Sequence, residues 1–93
     1  MIDRTFKALA DPTRRRILAL LRDGDLPAGE IAAQFPVAWA SVSHHLTVLR
    51  EAGLVVSARD GQFIRYSLNT TVLQDAMQHL LELAPSRKDR RHA

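Results

Sequence analysis

From Glu30 to Val56 the chain reads EIAAQFPVAWASVSHHLTVLREAGLVV: a short helix, a tight turn, a longer helix, a glycine stop and an extended apolar run. Pro36 has no backbone N–H to donate and disfavours the α region for Phe35, which places the first helix at about 28–35. The second is placed at about 38–52, with Gly53 just past its C-terminus. Two helices joined by three or four residues make a helix-turn-helix, whose second helix can enter the major groove of DNA.

At roughly 100° per residue, Val42, Leu46 and Leu49 fall on one side of that second helix, flanked by Ala38, His45 and Ala52. Ala40, Ser43, His44, Thr47 and Glu51 fall opposite. The outward residues of the N-terminal half are small or hydrogen-bonding, and no carboxylate occurs between Ile31 and Arg50, which suits a surface laid against phosphates. Periodicity alone is equally compatible with a solvated amphipathic helix of any small helical domain.

The run Ser41–Val55, SVSHHLTVLREAGLV, resembles the recognition-helix motif of the ArsR family of winged helix-turn-helix repressors. The run Phe6–Leu21, FKALADPTRRRILALL, resembles the first two helices of the same family. The similarity extends from about residue 2 to residue 84 with every element in family order, and it is closest to the metal-independent, SdpR-like branch. It implies a mainly α fold with a β-hairpin wing, five helices, and a homodimer formed through the first and last helices. It also implies double-stranded DNA as the partner, repression as the outcome, and no cofactor.

The flanking elements agree with this reading. Ile2–Ala10 has Ile2, Phe6 and Leu9 at helical spacing, and Asp11-Pro12 restarts the chain as N-cap and first helical residue. The helix that follows, to about Arg22, is expected to bury Ile17, Leu18 and Leu21. Of its three consecutive arginines, Arg14 and Arg15 are the candidates for phosphate contact, and at least one of the three is expected to face solvent without a partner. Leu54–Ala58 and Phe63–Leu68 are β-rich runs around Arg59-Asp60-Gly61-Gln62, and Asp-Gly between such runs signals a hairpin. Directly after a recognition helix, a hairpin is a wing. Arg59 and Gln62 at its tip and Arg65 on the returning strand could reach the DNA backbone or minor groove.

Asn69-Thr70-Thr71 is expected to cap a last helix that Pro85 stops. Its apolar set of Val72, Leu73, Ala76, Met77, Leu80, Leu81, Leu83 and Ala84 is wider than packing on one side requires. A second subunit is the simplest cover. With the pairing that the resemblance implies, Ile2, Phe6, Leu73, Met77, Leu80 and Leu81 are the candidate interface residues.

Charge enters this argument through its distribution. Residues 1–86 hold nine Lys/Arg and nine Asp/Glu, so the net +3 resides in the final SRKDRRHA, residues 86–93, which read as a disordered basic tail to a single domain spanning 1–85. Arg14–Arg16 form a basic cluster, whereas 66–86 has no Lys or Arg but contains Asp75 and Glu82, the asymmetry of a protein that docks on DNA by one face. No run of ~18 apolar residues and no signal-peptide pattern is present, so a cytoplasmic location and no membrane partner are expected. The absence of cysteine excludes disulfides and thiolate metal sites.

Catalytic chemistry finds little support. Ser41 and Ser43 lie near His44 and His45 in sequence, but adjacent positions on a helix diverge and do not form a nucleophile–base pair by default. The metal sites of the family are also poorly matched. Pro27 and Gly29 stand where one family site has cysteines, and Tyr66-Ser67-Leu68 stands where another has Asp-x-His. His79 and Glu82, spaced i, i+3 with Asp75 a turn earlier, leave a metal-responsive repressor open as an alternative. A winged-helix protein-interaction module without a DNA target is the other.

The recognition helix departs from its relatives too: Ala38 replaces the usual polar N-cap, and Trp39 stands where a long polar or basic residue is common. The candidate DNA-contact set is therefore Arg14, Arg15, Trp39, Ala40, Ser41, Ser43, His44, Thr47, Arg50, Arg59, Gln62 and Arg65. His45, on the core flank, reads as a structural histidine. No inducer pocket is legible, so release would fall to an unidentified protein or ligand.

Overall fold

The computed structural model describes residues 2–85; the proposed tail lies outside them. The element order is α1 (Ile2–Leu9), α2 (Pro12–Leu21), β1 (Leu26–Pro27), α3 (Ala28–Ala32), α4 (Trp39–Glu51), β2 (Val55–Asp60), β3 (Phe63–Leu68) and α5 (Thr70–Leu83). Five helices and a hairpin wing appear in the expected order, and the architecture is that of a winged helix-turn-helix.

Helix boundaries follow local chemistry. The Asp11 side chain accepts from the Arg14 backbone N–H at 3.0 Å, and Pro12 occupies the first turn, where its missing N–H is harmless. The Asn69 side chain likewise accepts from the Val72 N–H at the start of α5. α4 ends in a Schellman motif: the Gly53 N–H donates to Arg50 O at 2.9 Å and the Leu54 N–H to Leu49 O at 3.0 Å, with Gly53 at φ +81°. α3 is shorter than the expected 28–35. Ahead of Pro36 the chain tightens into i→i+3 bonds, Gln34 N–H to Ile31 O and Phe35 N–H to Ala32 O, rather than continuing as α-helix.

The sheet has three strands in the order β1-β3-β2, one more than the hairpin expected. Leu26 pairs with Tyr66 and Pro27 with Arg65, so Pro27 sits on an edge strand, where it need not donate to a ladder. In the hairpin, Val55 pairs with Leu68 and Asp60 with Phe63, leaving a two-residue loop, Gly61-Gln62. Gly61 at φ +64° in the first loop position, followed by a residue without positive φ, is the pattern of a II′ turn.

One apolar core joins these elements: Ile17, Leu18 and Leu21 of α2, Ile31 of α3, Phe35 of the turn, Val42, Leu46 and Leu49 of α4, then Leu54, Val55 and Tyr66. The expected inward faces of α2 and α4 are therefore the observed ones. α1 meets the core mainly through its small residues. It buries Thr5 and Ala8, while Ile2, Phe6 and Leu9 are half-buried. The Thr5 hydroxyl donates to the Ala52 carbonyl at the end of α4, and two small residues let the helices approach closely enough for that bond.

Candidate nucleic-acid interface

α4 is anchored from beneath by three essentially fully buried aliphatics, Val42, Leu46 and Leu49, so its opposite side is held outward. Trp39, at 54% exposure, and Ala40, Ser41, His44 and Arg50 are all exposed. Ser43 and Thr47 lie lower on the flank than expected and are half-buried. The Thr47 hydroxyl donates to Ser43 O at 3.1 Å, so its proton is committed to its own helix while the oxygen can still accept. Ala38 gives α4 no side-chain cap, and the first turn has no acidic residue to offset the positive end of the helix dipole.

The arginines behave in two ways. Arg50 and Arg59 are exposed, as is Gln62 in the hairpin loop. Arg14, Arg15 and Arg65 are engaged within the chain. Arg14 Nε donates to Ala8 O at 2.8 Å and one terminal nitrogen to Lys7 O at 3.2 Å, while Arg15 donates to Leu9 O at 2.8 Å. Both thus donate to carbonyls at the C-terminus of α1, the helix end that favours cations, and Lys7 O also accepts from the Ala10 N–H at 3.2 Å. Arg65 pairs with Asp60 at 3.1 Å and donates to Asp25 O at 3.4 Å. Arg16 does not stand free either: its guanidinium lies over the Phe35 ring, 4.9 Å from the centroid. The expectation that one of the three consecutive arginines faces solvent without a partner is therefore corrected. Helical spacing within α2 does not reveal these partners, which lie at the end of α1 and in the turn after α3.

His45 occupies the structural position expected of it. Its side chain is 16% exposed, with Nδ1 3.2 Å from an Arg14 terminal nitrogen and 3.9 Å from the Asp11 carboxylate. Arg14 can only donate, so in that 3.2 Å contact Nδ1 is the acceptor. The Asp11 carboxylate, at 3.9 Å, lies beyond hydrogen-bond range of Nδ1 but close enough for its charge to matter. Asp11 is held below its ordinary pKa of 3.8 first by the Arg14 backbone hydrogen bond and then, against some desolvation, by the nearby charges of His45 and Arg14.

On α5, Ala76 is buried and Val72 and Leu73 pack on the core, whereas Met77, Leu80, Leu81 and Leu83 are 52–80% exposed. Asp75, His79 and Glu82 are exposed, and the Glu82 carboxylate accepts from Gln78 at 3.5 Å. Among the described residues no three His, Cys, Asp or Glu side chains gather as a metal-binding group, and no helix is long and apolar enough to cross a membrane.

A helix held outward by buried aliphatics, preceded by a short helix and a tight turn and followed by a hairpin, defines the helix-turn-helix class of DNA-binding proteins. A profile described as a helix-turn-helix domain matches residues 9–58. The chain is 52% identical over 80 residues to the transcriptional repressor SdpR of Bacillus subtilis (strain 168), spanning 86% of this chain and 89% of that one. Its fold superposes on a crystal structure of a possible transcriptional regulator for arsenical resistance with a TM-score of 0.80, 37% identity, and coverage of 90% and 88% of the two chains. An ArsR family transcriptional regulator superposes with a TM-score of 0.82 at 25% identity, covering 98% of this chain and 96% of the other. The chain belongs to the ArsR family of winged helix-turn-helix transcriptional regulators.

Proposed function

We propose that the protein is a homodimeric transcriptional repressor that binds an inverted-repeat operator in double-stranded DNA. The observation that carries this reading is the exposed N-terminal half of α4: Trp39, Ala40, Ser41 and His44 on a helix whose start has no side-chain cap, with no carboxylate in it before Glu51. Ser43 and Thr47 extend the same surface, and Arg50, Arg59 and Gln62 offer phosphate contacts beside it. Phosphate contacts would supply most of the affinity, and base edges met by residues 39–47 would supply selectivity.

Two copies joined through α1 and α5 would set their recognition helices about one DNA turn apart, ~34 Å, on one face of the duplex. The exposed Met77, Leu80, Leu81 and Leu83 support that pairing, and repression would follow from occupying promoter DNA. In this reading the protein works in the cytoplasm and has no catalytic role. A partner protein or a small ligand that changes the angle between subunits would release it.

The test is a fluorescence anisotropy titration against the chain's own upstream promoter fragment at several salt concentrations. Sequence-selective binding with a steep salt dependence is expected. A flat, nonselective response would instead favour a protein-interaction module. Combined Ser43→Ala and His44→Ala should weaken DNA binding while the protein stays dimeric; loss of the dimer as well would make these residues structural.

A further inference from the structure

The Arg14 guanidinium touches two helices besides its own. It donates to Ala8 O and Lys7 O at the end of α1, and to His45 Nδ1 on α4. Its own helix is held at the same corner by the Asp11 cap on the Arg14 backbone N–H. The apolar contacts under α4 fix its depth but are non-directional, so they resist sliding and rotation about the helix axis only through side-chain shape. A hydrogen bond to a mostly buried flank residue adds direction, because it weakens steeply as its geometry departs from linear. His45 is next in sequence to the exposed His44, with ring centroids 5.9 Å apart, so a rotation that moves one moves the other.

We infer that Arg14 and His45 are positioning residues for operator recognition: their hydrogen bond ties the rotational setting of α4 to the end of α1. This rests on the reading of α4 as the recognition helix and of α1 as part of the dimer contact. On that reading, one guanidinium links the surface that meets the second subunit to the surface that meets DNA. Arg14 then acts without touching phosphate, in contrast to the role its charge and sequence position suggest.

The experiment compares wild type with His45→Leu, His45→Gln, Arg14→Gln and the Arg14→Gln/His45→Leu pair, using an operator fragment recovered by selection on the wild-type protein and a scrambled duplex. His45→Leu fills the site but cannot accept a hydrogen bond, whereas His45→Gln can. Expected for His45→Leu is roughly tenfold weaker operator binding, within the range of coupling between residues in contact. Scrambled-duplex affinity should stay near wild type, and His45→Gln should recover most of the loss. The paired variant should be no weaker than the worse single one, and the slope of log affinity against log salt should stay the same throughout. The inference is overturned if His45→Leu binds the operator like wild type, if Gln fails to rescue, or if the two losses multiply. It is also overturned if Arg14→Gln lowers the salt slope by about one, the mark of a direct phosphate contact. Failure of the wild-type protein to select any duplex would count against the DNA-binding reading, a result separable from every outcome above.

Discussion

Asp11 shows how much one side chain decides at this corner. It caps α2, and its carboxylate lies 3.9 Å from His45. Asp11→Ala should cost about 1 kcal/mol at neutral pH, the usual loss for an N-cap, measurable by urea denaturation. Because its folded-state pKa lies below the unfolded 3.8, the stabilisation is complete above that value and disappears as pH falls through the folded one. Asp11→Asn keeps an acceptor but cannot titrate, so it should retain most of the stability and lose that acid dependence. Gly53 is the second such position. At φ +81° any L side chain is strained, while a Cβ there would meet Val72 only at an ordinary 3.6 Å. Gly53→Ala should therefore destabilise the fold by about 1–2 kcal/mol through the backbone rather than through crowding. Both positions are legible in the sequence because a cap and a positive φ are local demands. The partners of Arg14, Arg15 and Arg16 are not, since each is met by a group whose position depends on how helices pack.

Among elements, the wing illustrates what register decides. Asp60 and Phe63 pair directly, so the loop is the two residues Gly61-Gln62 rather than the four that separate the β-rich runs in the sequence, and Arg59 belongs to a strand. Arg59 shares the sheet face of Val55 and Tyr66 but remains exposed because the hairpin tip overhangs the core. Arg65 and Asp60 are diagonal neighbours on the other face, which explains their ion pair. Arg59→Ala should accordingly reduce the salt slope of operator binding by about one with unchanged melting temperature. Arg65→Ala should change DNA binding less, because its charge is already partnered. A slope unaffected by Arg59→Ala would remove the wing from the DNA surface. β1 has no signature in the sequence: two residues, one of them proline, carry no periodicity to read, and only the nearby edge of β3 makes them a strand.

For the whole molecule, the decisive feature is α5. Its inner residues meet the core through Val72, Leu73 and Ala76, and four large apolar side chains remain at the surface. A cluster of that kind on a 93-residue chain favours self-association. Leu80→Glu combined with Leu81→Glu should convert a dimer into a monomer by sedimentation equilibrium, with helical content preserved. Operator binding should fall by about 10²-fold or more, because each half-site is then bound without the gain from linkage. A double variant that stays dimeric would place the pairing surface elsewhere.

Periodicity, caps, glycines and prolines are short-range properties of the chain. They were sufficient to indicate five helices, the hairpin, the inward faces of α2 and α4, and the helix-turn-helix that carries the family resemblance. Packing assigned what short-range properties cannot reach. It set the close approach of α1 through Thr5, the third strand, the half-burial of Ser43 and Thr47, and the division of arginines into exposed and engaged. The physical reason is that a hydrogen-bond donor such as Arg14 takes the acceptors that the assembled helices present to it, and the carbonyls of Lys7 and Ala8 are within its reach only because α1 ends there and α2 turns beneath them.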